Sequence, residues 1–76
     1  MKKCVDVITL FSKDGEVIPR TILWDDQRRY EITSVKGVNA TWNPEEAQRG
    51  LDFLCEIKGK EAHLYYERNH WYVDAI

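Results

Sequence analysis

Apolar and polar residues alternate along this chain in short runs, and turn-forming residues punctuate the runs at regular intervals. A two-residue period places successive side chains on opposite faces of a strand, which is the signature of a half-buried sheet. Six strands are predicted in this way, over about residues 4–12, 17–24, 29–38, 51–58, 61–67 and 70–75. Lys13-Asp14-Gly15-Glu16, Asp25-Asp26-Gln27-Arg28, Lys58-Gly59-Lys60-Glu61 and Glu67-Arg68-Asn69-His70 read as the turns between them. Asp-Gly suits a two-residue hairpin turn because both positions tolerate positive φ. One helical turn is predicted over 44–49, with Asn43 as cap, Pro44 at the first position, Glu45 and Glu46 at the positive end and Gly50 as terminator.

The last three strands admit a specific register. Two-residue turns at Gly59-Lys60 and Arg68-Asn69 oppose Ile57 to Ala62, Cys55 to Leu64 and Phe53 to Tyr66, then Tyr66 to Trp71, Leu64 to Val73 and Ala62 to Ala75. Directly opposed residues share a face, and every one of these is apolar or aromatic. Two turns placed independently thus agree on one buried face. The other face then carries three cross-strand rows: Glu56, His63 and Asp74; Leu54, Tyr65 and Tyr72; Asp52, Glu67 and His70.

The first hairpin differs, because Val5, Val7 and Phe11 alternate with Ile8 and Leu10 and so both faces are apolar. Such a strand is covered on both sides or bends between two sheets. Pro19 cannot donate to a ladder and belongs at an edge or a bulge. A three-residue loop after the second strand opposes Trp24 to Tyr30 and Ile22 to Ile32. The expected fold is all-β, one domain over 1–76, a small six-stranded antiparallel barrel of SH3-like form. A curled open meander with a covering segment is the alternative.

Composition narrows the function more than the fold. The net charge of −2 argues against a protein devoted to non-specific nucleic-acid binding. No apolar run approaches membrane-spanning length and no secretory pattern opens the chain, so a cytoplasmic location is expected. Cys4 and Cys55 form no Cys-x-x-Cys pair and are expected reduced and buried in strands. Nucleophile elbow, phosphate loop and zinc-protease motifs are all missing from the sequence, so no catalytic residue and no cofactor is expected.

Each acid–histidine row has the ligand types for a divalent metal, but opposite charges paired across a solvated face are the stronger explanation. No metal site is therefore assigned. The Leu54, Tyr65 and Tyr72 row is the predicted interaction face, since an exposed apolar stripe marks something that covers it. Arg20, Trp24, Arg28, Arg29 and Tyr30, with Trp42 and Arg49 later, form an alternative surface for single-stranded nucleic acid, where aromatic stacking sits beside positive charge.

Two segments carry a resemblance. Ile18-Pro19-Arg20-Thr21-Ile22-Leu23-Trp24 with Arg29-Tyr30-Glu31-Ile32 is the first. Leu54-Cys55-Glu56-Ile57-Lys58-Gly59-Lys60-Glu61 with Leu64-Tyr65-Tyr66-Glu67 and Trp71-Tyr72-Val73 is the second. Together they resemble a group of small bacterial proteins of unknown function that share a tryptophan-turn-tyrosine hairpin and a C-terminal aromatic hairpin. The resemblance implies a fold and transfers no activity. It departs at Asn43-Pro44-Glu45-Glu46-Ala47-Gln48, where the familiar pattern is glycine-rich. The leading expectation is a non-enzymatic module that binds a protein partner or a second copy of itself.

Overall fold

Local turn chemistry organises the chain. A computed structural model describes residues 2–74, and these form seven antiparallel strands: β1 (Lys2–Phe11), β2 (Val17–Leu23), β3 (Arg29–Glu31), β4 (Ser34–Asn43), β5 (Gln48–Ile57), β6 (Lys60–Glu67) and β7 (His70–Asp74). The last two turns use two residues each, Lys58-Gly59 with φ of 52° and 78° and Arg68-Asn69 with φ of 52° and 64°. Positive φ at both positions matches the twist of the flanking strands. The first two turns use three residues. Ser12 N–H donates to Glu16 O at 2.9 Å and Gly15 N–H to Ser12 O at 3.0 Å; Trp24 N–H donates to Arg28 O at 2.9 Å and Gln27 N–H to Trp24 O at 3.0 Å. Gly15 and Gln27 hold the left-handed position, with φ of 89° and 68°. Asp14-Gly15 is thus part of a three-residue loop, not a two-residue turn.

The sheet order is β3-β2-β1-β7-β6-β5-β4. β3 and β4 stand at opposite edges although only Ile32 and Thr33 separate them in sequence. The sheet must therefore curl until the Glu31 end of β3 comes close to the Ser34 end of β4. At the meeting point Ile32 N–H donates to Arg20 O at 3.0 Å and Thr33 N–H to Glu56 O at 2.9 Å. Consecutive amides thus tie β2 to β5 and leave a curled half-barrel.

This corrects four expectations. The predicted strand 29–38 is two strands, because its backbone changes partners at Ile32–Thr33, and the count becomes seven among the described residues. The helical turn over 44–49 is absent: 44–47 form a hairpin turn with Ala47 at φ 50°, and Gln48 and Gly50 already belong to β5. Asn43 does cap a turn, its Oδ1 accepting from Glu45 N–H at 3.1 Å. Helix caps and Asx turns share that chemistry, and with only Ala47 apolar there is no face to bury. Lastly, β5 and β6 pair two residues away from the predicted register, with Ile57 opposite Lys60, Cys55 opposite Ala62 and Phe53 opposite Leu64. The turn sits at Lys58-Gly59 because Gly59 is the second, not the first, of the left-handed pair. A slip of two keeps every side chain on its face. The β2–β3 pairing shifts likewise, opposing Ile22 to Tyr30. The β6–β7 register is as read, with Leu64 opposite Val73 and Tyr66 opposite Trp71; Ala75 lies outside the described residues.

The concave face holds the core of Val5, Ile22, Phe53, Cys55, Leu64, Trp71 and Val73. Trp71 packs against Phe53 and Tyr66 at ring separations of 5.4 and 4.7 Å. Pro19 stands at a bulge: Thr21 opposes Ile8 and Pro19 opposes Thr9, which leaves Arg20 as the extra residue. Among the described residues no helix is long and apolar enough to cross a membrane.

Candidate interaction site

The convex face of β5–β7 contains the predicted aromatic row in altered form. Tyr65 lies directly opposite Tyr72, but Leu54 now opposes His63 and Asp52 opposes Tyr65. All three members of the row are half-buried. Tyr65 carries the Lys2 ammonium 4.2 Å from its centroid and the His63 imidazole stacked at 6.0 Å. His63 Nδ1 lies 2.8 Å from Asp52 Oδ1. That hydrogen bond raises the His63 pKa, aided by the charges of Asp52, Asp74 and Glu61 against some desolvation. Desolvation raises the Tyr65 pKa, with the same two aspartates adding and Lys2 opposing.

The predicted acid–histidine rows dissolve with the register shift. His63 takes Asp52, while Glu56 holds Lys36 at 3.4 Å and Glu67 holds Lys2 at 3.4 Å. No group of three or more metal-ligating side chains converges among the described residues. Cys55 is buried as expected, and burial pushes its thiol up to about 11, with Asp52 adding. Such a thiol is a poor nucleophile. Cys4 is exposed, contrary to expectation, because it opposes Tyr72 on the convex face.

The basic-aromatic group divides between two faces. Trp24 and Tyr30 meet edge to face at 6.0 Å at one end of the half-barrel. With Ile22, Ile57, Ala62 and Val73 they line an apolar cleft of about 300 Å³, rimmed by Lys58, Lys60 and Asp74. Cations already sit on both rings, Lys3 at 5.4 Å from Trp24 and Lys58 at 4.9 Å from Tyr30. Arg28 is held by Asp26 at 2.8 Å, and a hydrogen bond to Tyr30 followed by the Asp26 charge raises its pKa. Arg29 opposes Leu23, one residue out of phase with Tyr30, and so points to the other face. Arg20 occupies the bulge. The structure therefore joins Trp24, Tyr30 and Arg28 and separates Arg29 from them.

The most exposed of the large apolar residues among the described residues lie elsewhere. Val38 and Trp42 of β4 are 50% and 58% exposed, and Phe11 of β1 is 61% exposed. Val38 opposes Phe53 and Ala40 opposes Leu51, so this row belongs to the core face of the sheet. Phe11 opposes Val17, which packs on the core. These residues form two apolar lips of the half-barrel, one on each long hairpin. Sequence reasoning placed Trp42 among nucleic-acid residues and passed over Val38 and Ala40. Their alternation within 37–43 was the available signal.

Compared with protein-family models, curated proteins and solved structures, the chain matches none.

Proposed function

We propose that this protein is a small non-enzymatic interaction module that presents an apolar surface to a protein partner. The observation that supports this most is the β4 row, where Val38 and Trp42 continue the core face of the sheet yet remain half exposed or more. Monomers rarely leave a contiguous core-facing row open unless another surface meets it. Exposed tryptophans such as Trp42 are among the residues that anchor interfaces. The SH3-like expectation belongs with this reading, since a curled sheet with an aromatic surface is a common platform for peptide recognition. The resemblance to small bacterial proteins of unknown function agrees with it and adds no reaction. The convex Leu54, Tyr65 and Tyr72 face is a second contact surface, weaker because Lys2 and His63 already cover Tyr65.

The test is photo-crosslinking from position 42. A photoreactive aromatic residue in place of Trp42, with the same residue in place of Lys13 as control, is irradiated in a lysate of the source cells. The expected result is a discrete adduct from position 42 and none from position 13. Absence of any adduct from position 42 overturns the reading.

A further inference from the structure

β4 is the outermost strand of the sheet, with β5 on one side and no strand on the other among the described residues. Edge strands invite pairing unless they are blunted. This one is blunted at both ends only. A bulge leaves Lys36 unpaired between Val35 and Gly37, and the hairpin turn closes at Asn43. Between them Gly37-Val38-Asn39-Ala40-Thr41-Trp42-Asn43 carries no charge and no proline.

The direction of its backbone groups follows from the turns. The two-residue turn at Lys58-Gly59 makes Ile57 and Lys60 a hydrogen-bonded pair, so odd-numbered residues of β5 bond toward β6. Even-numbered residues then bond toward β4, as Glu56 does in accepting from Thr33 N–H at 2.9 Å. Asn39 and Thr41, opposite Asp52 and Gly50, are therefore satisfied inward. The N–H and C=O groups of Val38, Ala40 and Trp42 point to the open edge.

Resting on the module reading, we infer that the partner at this edge is a second copy of the same chain, added antiparallel about a two-fold axis through Ala40. That axis sets Ala40 on Ala40 and Val38 on Trp42 of the second copy, an aromatic on β-branched pair of the favoured kind. Asn39 meets Thr41 on the other face, where both can hydrogen bond. Every opposed pair from Val38 to Trp42 is uncharged, so a copy meets no like charge. Beyond the paired stretch, Lys36 comes opposite Pro44 of the other copy while its ammonium stays with Glu56 and Glu61 of its own chain, at 3.4 and 3.1 Å. The interface is two-fold and self-complementary, as most homodimer contacts are. It is also small, so the dimer is weak and concentration-dependent.

Sedimentation equilibrium of the full chain from micromolar to millimolar protein tests this. The wild type is expected to shift from chain mass to twice chain mass, and Val38, Ala40 and Trp42 amides gain hydrogen-exchange protection as it does. Ala40→Lys sets two ammonium groups against each other at the axis and is expected to weaken the dimer at least tenfold. Ala40→Pro removes an outward N–H and no bond to β5, and is expected to do the same. Circular dichroism verifies that each variant folds; Ala40→Lys alters only an exposed side chain. A wild type that stays at chain mass throughout, or a dimer that survives both variants, overturns the inference. The crosslinking above separates the two readings when it is repeated on the purified chain at millimolar concentration: no adduct of twice chain mass there removes self-pairing, while an adduct of another mass in the lysate keeps the module.

Discussion

In β6 the inward residues Ala62 and Leu64 are 5% and 0% exposed; in β4 the inward residues Val38 and Trp42 are 50% and 58% exposed. Both strands alternate, and both present an apolar row to the same face of one sheet. β6 has β5 and β7 on its flanks, while among the described residues β4 has β5 alone. Alternation is a local property that decides which face a side chain takes. Burial is decided by strand order, which puts β6 near the middle of the curl and β4 at its rim. A row that looks like core in sequence becomes a contact surface when the order leaves it outside.

The sharpest way to break this comparison is to truncate one residue on each strand. Leu64→Ala is expected to cost about 2–5 kcal/mol through lost transfer energy and a residual cavity. A domain of this length has a total stability on the order of 4–11 kcal/mol, so the variant is expected to be marginally folded. Trp42→Ala removes a larger side chain and is expected to change monomer stability by less than about 0.5 kcal/mol. Urea unfolding of both at the lowest workable concentration measures the difference. Equal losses would mean that the β4 row is packed and not open.

Gly50 is the next test, because it is where β4, β5 and β6 crowd. A Cβ there would stand 2.6 Å from Glu67 Cγ, 2.8 Å from Thr41 Oγ1 and 3.0 Å from the Tyr66 carbonyl oxygen. Glu67 and Thr41 can rotate, but the carbonyl belongs to the ladder. Gly50→Ala is expected to destabilise by about 1–3 kcal/mol, as overpacking does, read as a lowered urea midpoint at unchanged slope. A neutral result would show that the outer hairpin yields easily and that β4 is loosely attached.

Two loops of one shape provide the third comparison. Gly15 and Gln27 hold the same left-handed position, and only the glutamine has a Cβ. Gln27→Gly is expected to stabilise by about 0.5–1 kcal/mol, since the left-handed strain relieved exceeds the entropy glycine adds to the unfolded chain. Gly15→Ala is expected to destabilise by a similar amount. Thermal unfolding reads both, and a loss on Gln27→Gly would show that the glutamine side chain holds the loop.

What the sequence made legible follows the same division between local and global. The faces of β5, β6 and β7 were readable because alternation and two tight turns agree, and a register slip of two residues leaves faces intact. The break at Ile32–Thr33 was not readable. Ile32 and Thr33 are both good strand residues, and only the curl, which brings Arg20 and Glu56 to either side of them, makes the backbone change partners. The strand at 39–43 was hidden by Asn39, Asn43 and the helix-like Asn43-Pro44-Glu45-Glu46 run. The interaction surface was sought on the convex aromatic row because no local pattern covers that row. Its cover comes from Lys2, sixty-three residues away in the chain, a contact that no local pattern announces.

The smallest expected effect concerns that convex cover. Asp52 lies on β5 and His63 on β6, diagonal to one another across the pair, and their contact at 2.8 Å raises the histidine pKa. A raised folded-state value means that the protonated imidazole favours the folded chain. Its contribution is fully present below the ordinary histidine range and is lost as pH rises through the folded value. Because the His63 side chain is 47% exposed, solvent screening keeps the contribution to a fraction of a kcal/mol. Asp52→Asn removes the first and largest cause and leaves the weaker charges of Asp74 and Glu61. The His63 ring resonances, followed by NMR from acid to neutral pH, are expected to titrate at lower pH in the variant. The stability gain seen on acidifying toward the histidine range is expected to shrink with it. An unmoved titration would assign the shift to the surrounding carboxylates.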